Sequence, residues 1–206
     1  MNEKKMYYRI RNYCGLLGML LPFIAMFSAA LTPHEDPSWW YSISATYYQT
    51  PALAGILTAA SIVLMTYDGY DWRDNLVTTI SGVFGIGIVL FPCAVVWKSD
   101  RVGFFQLPVD ISHIIHCICA TAFFLLLGFY SFFLFTLSDG TVTKQKKIRN
   151  VIYRLCGIGM LVFMIWQFIT VIAHMPGWWT MINEIFLLFF FGISWLTKGG
   201  IFFKDK

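Results

Sequence analysis

Charged side chains are scarce in this sequence, since Asp, Glu, Lys and Arg together make up 13% of its 206 residues. In soluble globular domains that share is about 25%, whereas 58% of the residues here are hydrophobic. This composition excludes an ordinary soluble globule. Regularly alternating stretches of about ten residues are also lacking, which leaves helices as the structure that can span a bilayer.

Motifs built on cysteine or on closely spaced carboxylates are lacking as well. The five cysteines lie in or at the ends of apolar stretches, and Cys117 and Cys119 do not have the spacing of metal ligands. We interpret all five as small packing residues. Asp68, Asp71 and Asp74 lack the longer ligand pattern of a calcium-binding loop, so they predict a solvated turn.

Six apolar segments are present, at residues 14–31, 51–67, 76–97, 111–137, 151–173 and 181–196. Each is near or above the roughly 17 to 25 residues with which a helix crosses a bilayer. The sequence therefore predicts an all-α fold, a bundle of six transmembrane helices in one integral membrane domain over residues 1–206. The first segment is longer than the apolar core of a signal peptide and contains Pro22, so we expect it to be retained.

Basic residues are distributed unequally between the two sides of this topology. Thirteen of the fifteen Lys and Arg residues fall on one side, against Lys98 and Arg101 on the other. The positive-inside rule then places both termini in the cytoplasm, in a plasma membrane or a bacterial inner membrane. The net charge of +4 follows from this topology, so we expect membrane lipids and no nucleic acid as partners; protein partners are not identified.

The fourth segment opens with three ionisable residues, Asp110, His113 and His116. Their spacing of three residues places them on successive turns along one side of a helix. Ionisable groups at membrane depth are costly and tend to face an interior cavity, which makes them functional candidates. The topology assigns six further polar residues to the same side: Ser42, Ser44 and Tyr47 from the first outer loop, then His174, Asn183 and Glu184.

These residues admit three interpretations. The histidines are hydrogen-bonded members of the core, or they line a polar pocket, or His113, His116 and Asp110 bind a metal. Two histidines and a carboxylate would suit zinc. The first outer loop, which contains several Trp and Tyr residues, has two interpretations. It forms a lid or wall over the pocket, or it anchors the chain at the membrane interface.

Internal similarity predicts a repeat. Residues His174, Pro176, Trp178 and Trp179 echo His34, Pro37, Trp39 and Trp40, and Cys156 and Gly157 match Cys14 and Gly15. Gly82 and Gly85 of the third segment match Gly15 and Gly18 in the same way. We interpret the chain as three helical hairpins related about an axis along the membrane normal.

Two families share features with this sequence. The six-helix layout, the histidines that open the fourth segment and the ending from Glu184 to Gly199 resemble the DRAM/Frag-like membrane proteins and related bacterial six-helix families of unknown function. The complement of Ser, Asp and His is also similar to the intramembrane zinc hydrolases that include alkaline ceramidases. Those have seven helices and an HxxxH pair near the C-terminus, whereas His113 and His116 are three residues apart in mid-chain. That second resemblance implies a bound zinc and hydrolysis of lipid.

We therefore expect a membrane protein with an outward-facing polar pocket that binds a lipid or a small amphiphile. The first alternative is an intramembrane zinc hydrolase, in which the histidines bind the metal and a carboxylate is the general base. The second is a channel or carrier with its pathway along the bundle axis.

Overall fold

The computed structural model describes residues 3–33, 40–69, 71–98, 100–138, 140 and 142–204. Within them the fold is helical, which confirms the predicted all-α class. Its elements in chain order are α1 (Glu3–Leu31), a 3₁₀ turn (Ser44–Tyr48), α2 (Ala52–Met65), α3 (Trp72–Leu90), β1 (Arg101–Val102), β2 (Leu107–Pro108), α4 (Val109–Phe129), a π-helical turn (Tyr130–Leu134), α5 (Lys144–Ile172) and α6 (Trp178–Lys198). The two short strands pair in antiparallel fashion.

Five of the described helices are long and apolar enough to cross a membrane: α1, α3, α4 with its π-helical turn, α5 and α6. Helix α2 is apolar but has only 14 residues. Large apolar side chains point outward along these helices, such as Phe27, which is 67% exposed, and Ile172, which is 77% exposed. Outward apolar faces of this extent are unusual for a soluble monomer and are consistent with a membrane protein.

Each α-helix packs against its neighbours in the chain, and α1 also packs against α6. The beginnings of α1, α3 and α5 and the end of α6 lie at one end of the molecule, which we call the basic end. An aromatic core lies close to the basic end. Trp195 stacks on Tyr130 with ring centroids 5.8 Å apart, and Phe135 and Tyr67 meet Trp195 edge-on.

The helix boundaries differ from the apolar segments in two ways. Helices α1 and α5 begin earlier than residues 14 and 151, because their basic first turns are helical too. Helix α3 ends at Leu90, seven residues before the predicted end at Trp97. Pro92 is the reason, since proline has no N–H to continue the helix and disfavours a helical conformation in the residue before it.

Candidate functional site

The segment before α2 is bound to α6 through a carboxylate. Glu184 Oε2 accepts hydrogen bonds from the backbone N–H groups of Ile43 and, at 3.4 Å, Ser44. Glu184 Oε1 lies 2.7 Å from Ser44 Oγ. The Ser42 hydroxyl accepts from the N–H of Ala45 at 2.9 Å and so completes the turn. Glu184 thus satisfies donors at the start of the 3₁₀ turn that have no partner within the turn.

His116 extends this network to α3 and α4. The imidazole is 6% exposed, and Nε2 lies 3.2 Å from Ser44 Oγ. On the other side Nδ1 lies 2.9 Å from the Phe91 carbonyl oxygen and 3.3 Å from that of Ile88. In an uninterrupted helix the Ile88 carbonyl would accept from residue 92, but Pro92 has no N–H. The histidine therefore occupies an acceptor that the proline leaves open.

The hydrogen positions in this network follow from the acceptors. Because carbonyl oxygens only accept, His116 Nδ1 carries a hydrogen. The single Ser44 hydrogen points either to Glu184 or to His116 Nε2. In the first case the imidazolium donates to Ser44 and faces a carboxylate; in the second a protonated Glu184 donates to Ser44 and the imidazole is neutral. Both arrangements are neutral overall, which suits a site at membrane depth.

These groups line a cavity of about 520 Å³ at the end of the molecule opposite the basic end. Most of its wall is apolar, with Leu57, Phe123, Met164 and Leu187 among the residues on it. We call it the amphipathic cavity. Its described polar lining consists of Tyr41, Ser42, Ser44, Cys93, His113, His116, Cys117, Thr121, Gln167, Thr180 and Glu184.

His113 lies at the exposed rim of this cavity. Its Nδ1 accepts from the N–H of Ala94 at 3.2 Å, and Cys117 Sγ lies 3.7 Å from Nε2. Burial, with the Glu184 charge as a second cause, raises the pKa of the Cys93 thiol, which lies in the loop between α3 and α4. Cys93 is therefore a protonated, weakly polar part of the wall.

Four of the predicted site residues lie outside the cavity lining. Asp110 is exposed on the first turn of α4. His174 is exposed in the turn before α6. Tyr47 packs edge-on against Tyr48, with ring centroids 5.3 Å apart. Asn183 is fully buried between helices, where its Nδ2 donates to Gln167 Oε1 at 2.8 Å.

Metal binding was one interpretation of His113, His116 and Asp110. Over the part of the chain that the structure describes, no group of three or more His, Cys, Asp or Glu side chains is arranged to hold a metal ion. Both ring nitrogens of His116 face protein acceptors or the Ser44 hydroxyl instead. His34, Glu35 and Asp36, which also belong to the first loop, lie outside the described residues.

Six polar residues of the lining were not predicted from the sequence: Tyr41, Cys93, Cys117, Thr121, Gln167 and Thr180. Gln167 had a usable signal, because a polar residue within an otherwise apolar span is expected to face the interior. The two cysteines had none, since buried and cavity-lining thiols have the same sequence context.

No protein-family model, curated protein or solved structure matches this chain. Any function for it therefore rests on the geometry of its own cavities.

Proposed function

We propose that all six α-helices span a membrane, with α2 as a short sixth span. Over 14 residues α2 rises about 21 Å, compared with roughly 30 Å for the hydrocarbon core of a bilayer. The 3₁₀ turn and Pro51 precede it directly and supply part of the missing length. Helix α2 contains no charged residue, and it packs against both α1 and α3.

We also propose that the six helices are three copies of one hairpin. In each copy one glycine of the first helix packs against the backbone of the second helix of a neighbouring copy, which is α6, α2, or α4 with its π-helical turn. Each glycine contacts two residues of that helix that are one turn apart. A Cβ added to each would lie 3.2 Å or less from a backbone atom of both. The three contacts are Gly15 on Gly192 and Leu196, Gly82 on Ser61 and Met65, and Gly157 on Gly128 and Phe132. A common contact at matching positions supports a rotation that relates the hairpins. The turn at residues 34–39, which suggested the repeat in the sequence, lies outside the described residues.

We propose the cytoplasm as the location of the basic end. Both described termini lie there, together with the basic first turns of α1 and α5. By the positive-inside rule such an end faces the cytoplasm of a plasma membrane or bacterial inner membrane. The amphipathic cavity then faces outward.

For the function, we propose that the protein binds a lipid or a small amphiphile in the amphipathic cavity. The observation that carries this proposal is the joint presence of an apolar wall and the Glu184, Ser44 and His116 network in one cavity of about 520 Å³. That volume lies within the range of about 300 to 1,000 Å³ of small-molecule sites, which combine apolar walls with a few placed polar groups. An apolar chain would occupy the wall formed by Leu57, Phe123 and Leu187.

The polar network also defines the headgroup that fits. Glu184 and Ser44 present oxygen atoms, and the lining of the cavity contains no Lys or Arg among the described residues. The network of Glu184, Ser44 and His116 is also neutral overall, so an anionic headgroup would meet no net countercharge, whereas hydroxyl or amide donors would find acceptors. We infer an uncharged, hydrogen-bonding headgroup on a single apolar chain.

Cys117 provides a natural reporter for the test. It lines the cavity and is exposed, whereas Cys14, Cys93, Cys119 and Cys156 are buried. In phosphatidylcholine nanodiscs, monomyristoylglycerol is expected to slow the reaction of Cys117 with a maleimide. The variant Ala120→Phe fills the cavity and should make this rate insensitive to the monoglyceride. Ile118→Phe, on the exposed face of the same helix, is the matched control and should behave like the native protein.

Two results would contradict the proposal. The first is a labelling rate of Cys117 that monomyristoylglycerol does not change, and the second is an equal change in the Ala120→Phe variant. Stoichiometric zinc in the purified protein, together with cleavage of an amide or ester lipid, would assign a hydrolase instead.

A further inference from the structure

Helices α4 and α5 pack closely near the basic end of the molecule. A Cβ at Gly157 of α5 would lie 2.8 Å from the Gly128 carbonyl oxygen of α4. Ser131 Oγ in the π-helical turn donates to the Tyr153 carbonyl oxygen at 2.9 Å. Beyond this contact each helix has an outer half, which we define as residues 109–124 of α4 and residues 161–172 of α5.

The two outer halves are attached to different neighbours. On α4, Ser112 Oγ donates to the Pro92 carbonyl oxygen, 2.9 Å away in the segment after α3. On α5, Gln167 Nε2 donates to Thr180 Oγ1 of α6 at 3.1 Å. Within the residues that the structure describes, no hydrogen bond or ring contact joins the two outer halves to each other. The close packing near the basic end therefore does not continue along the helices.

The sequence of α5 accounts for this separation. In α1 and α3 the glycine that packs against the neighbouring helix is followed one turn later by a second glycine, Gly18 or Gly85. The second glycine leaves room for a side chain of the neighbour, such as the Phe191 ring against Gly18. In α5 the position one turn after Gly157 holds Met160, which is fully buried. Because small residues permit close helix approach and a methionine does not, α4 and α5 part beyond this point.

The amphipathic cavity reaches the outer surface through the gap between the two outer halves. The helices run antiparallel from the contact of Gly128 with Gly157. Eleven residues beyond that contact, this register places Cys117 of α4 opposite Phe168 of α5. Both residues line the cavity, yet Cys117 is exposed and Phe168 is 53% exposed. Side chains that line a cavity and are also exposed mark the place where the cavity opens.

This opening lies within the apolar surface of the helices. Cys117 is eight residues into α4, a rise of about 12 Å from its first residue. Its neighbours Ile114 and Ile118 are exposed, and on the other edge Val171 of α5 is exposed and lines the cavity. With α4 and α5 as membrane spans, both edges of the gap face acyl chains.

We propose that the gap between the outer halves of α4 and α5 is a lateral portal, through which lipids of the outer leaflet enter the amphipathic cavity from the side. A lipid that uses this route keeps its chain in an apolar environment throughout. Thr121 of α4 and Gln167 of α5 line the cavity on the two sides of the gap and offer hydrogen-bonding groups to an uncharged headgroup. The proposal rests on the proposed amphiphile binding for the identity of the ligand, and it assigns the membrane as the source of that ligand.

The first test detects the portal without added ligand. The full-length protein is placed in phosphatidylcholine nanodiscs that contain a phosphatidylcholine with a diazirine on one acyl chain, and adducts are mapped by mass spectrometry after illumination. Leu57 of α2 and Leu187 of α6 are buried and line the cavity, so bilayer chains reach them through the portal. Leu64 and Leu196 are the matched controls, since they are buried leucines of the same two helices outside the cavity lining.

Adducts on Leu57 and Leu187 are expected to exceed those on Leu64 and Leu196 severalfold. Equal labelling of the two pairs would overturn the portal, because buried leucines on the cavity wall would then be no more accessible to acyl chains than buried leucines of the core.

The second test measures the route of the ligand. Val171→Trp places a large ring on the edge of the portal, so monomyristoylglycerol added to the nanodiscs should protect Cys117 from a maleimide severalfold more slowly. Its matched control is Val162→Trp, the same substitution at an exposed position on the opposite face of α5, outside the cavity lining. The control should follow the native rate, and the final extent of protection should be the same in all three proteins.

Equal rates in the two variants would overturn lateral entry and would assign entry from the aqueous side. A native protein in which monomyristoylglycerol never protects Cys117 would contradict the proposed amphiphile binding, whereas the lipid adducts would still decide whether the portal exists.

Discussion

Ser44 Oγ lies 2.7 Å from Glu184 Oε1 and thereby joins the segment before α2 to the first half of α6, 140 residues later in the chain. The same hydroxyl lies 3.2 Å from His116 Nε2, so one serine connects three parts of the fold. Because Glu184 also accepts from two backbone N–H groups, the position of the 3₁₀ turn over the cavity depends on this carboxylate.

We expect Glu184→Ala to destabilise the protein by about 1 to 3 kcal/mol, because the N–H groups of Ile43 and Ser44 lose their acceptor. Glu184→Gln retains one acceptor oxygen and should cost less. Hydrogen exchange at the amides of residues 43 and 44 measures the effect locally, and exchange should be faster in the Ala variant. Unchanged exchange in Glu184→Ala would show that the carboxylate does not hold the turn.

His116 and Pro92 are expected to be energetically coupled. His116→Leu removes the donor to the Ile88 and Phe91 carbonyls and should cost about 1 to 3 kcal/mol. In a Pro92→Ala background residue 92 regains an N–H for Ile88, so the same substitution should cost about 1 kcal/mol less. Reversible unfolding of the four proteins of the cycle in mixed micelles measures the coupling, and additive effects would refute it.

Much of the fold was predictable because membrane helices are set by long apolar runs. The C-terminal end of α3 was harder to predict, since residues 91–97 are as apolar as the helix before them. Pro92 was the available signal, but a proline within an apolar run is compatible with a continuing helix, as Pro22 in α1 shows. Composition alone could not distinguish the two cases.

The sequence predicted the depth of the site residues in the membrane better than the direction in which their side chains point. Topology placed Asn183 and Glu184 at one level, but adjacent helix residues point about 100° apart, and only Glu184 faces the cavity. Asp110 is about 120° from His116 on α4 by the same geometry, and it is exposed. The cavity at the basic end, lined by Arg11, Lys146 and Lys198 among others, was not predicted at all, because the positive-inside rule explained its lysines and arginines without their packing.

The glycine contacts between helices predict opposite effects for two similar substitutions. A Cβ at position 157 would lie 2.8 Å from the Gly128 carbonyl oxygen and 2.7 Å from Phe132 Cβ, so Gly157→Ala should destabilise by about 1 to 3 kcal/mol. Gly55 has no atom within 4 Å of an added Cβ. Gly55→Ala should therefore stabilise α2 by up to about 1 kcal/mol. Thermal unfolding in one detergent compares the two, and a loss of stability in both would argue against close packing at Gly157 as the cause.

The proposed topology predicts which cysteine substitutions react with a membrane-impermeant maleimide in intact cells. In a Cys117→Ser background, Lys98→Cys should be labelled from outside, because residue 98 follows α3 at the end opposite the basic end. Lys144→Cys and Thr66→Cys, at the start of α5 and after the end of α2, should react only after permeabilisation. Residue 66 is the informative position, since α2 is shorter than the bilayer core and its end is exposed.

The background protein, whose remaining cysteines are buried, is the control and should stay unlabelled. Labelling of Lys144→Cys in intact cells would invert the orientation, and labelling of Thr66→Cys from outside while Lys144→Cys is protected would show that α2 does not cross the membrane.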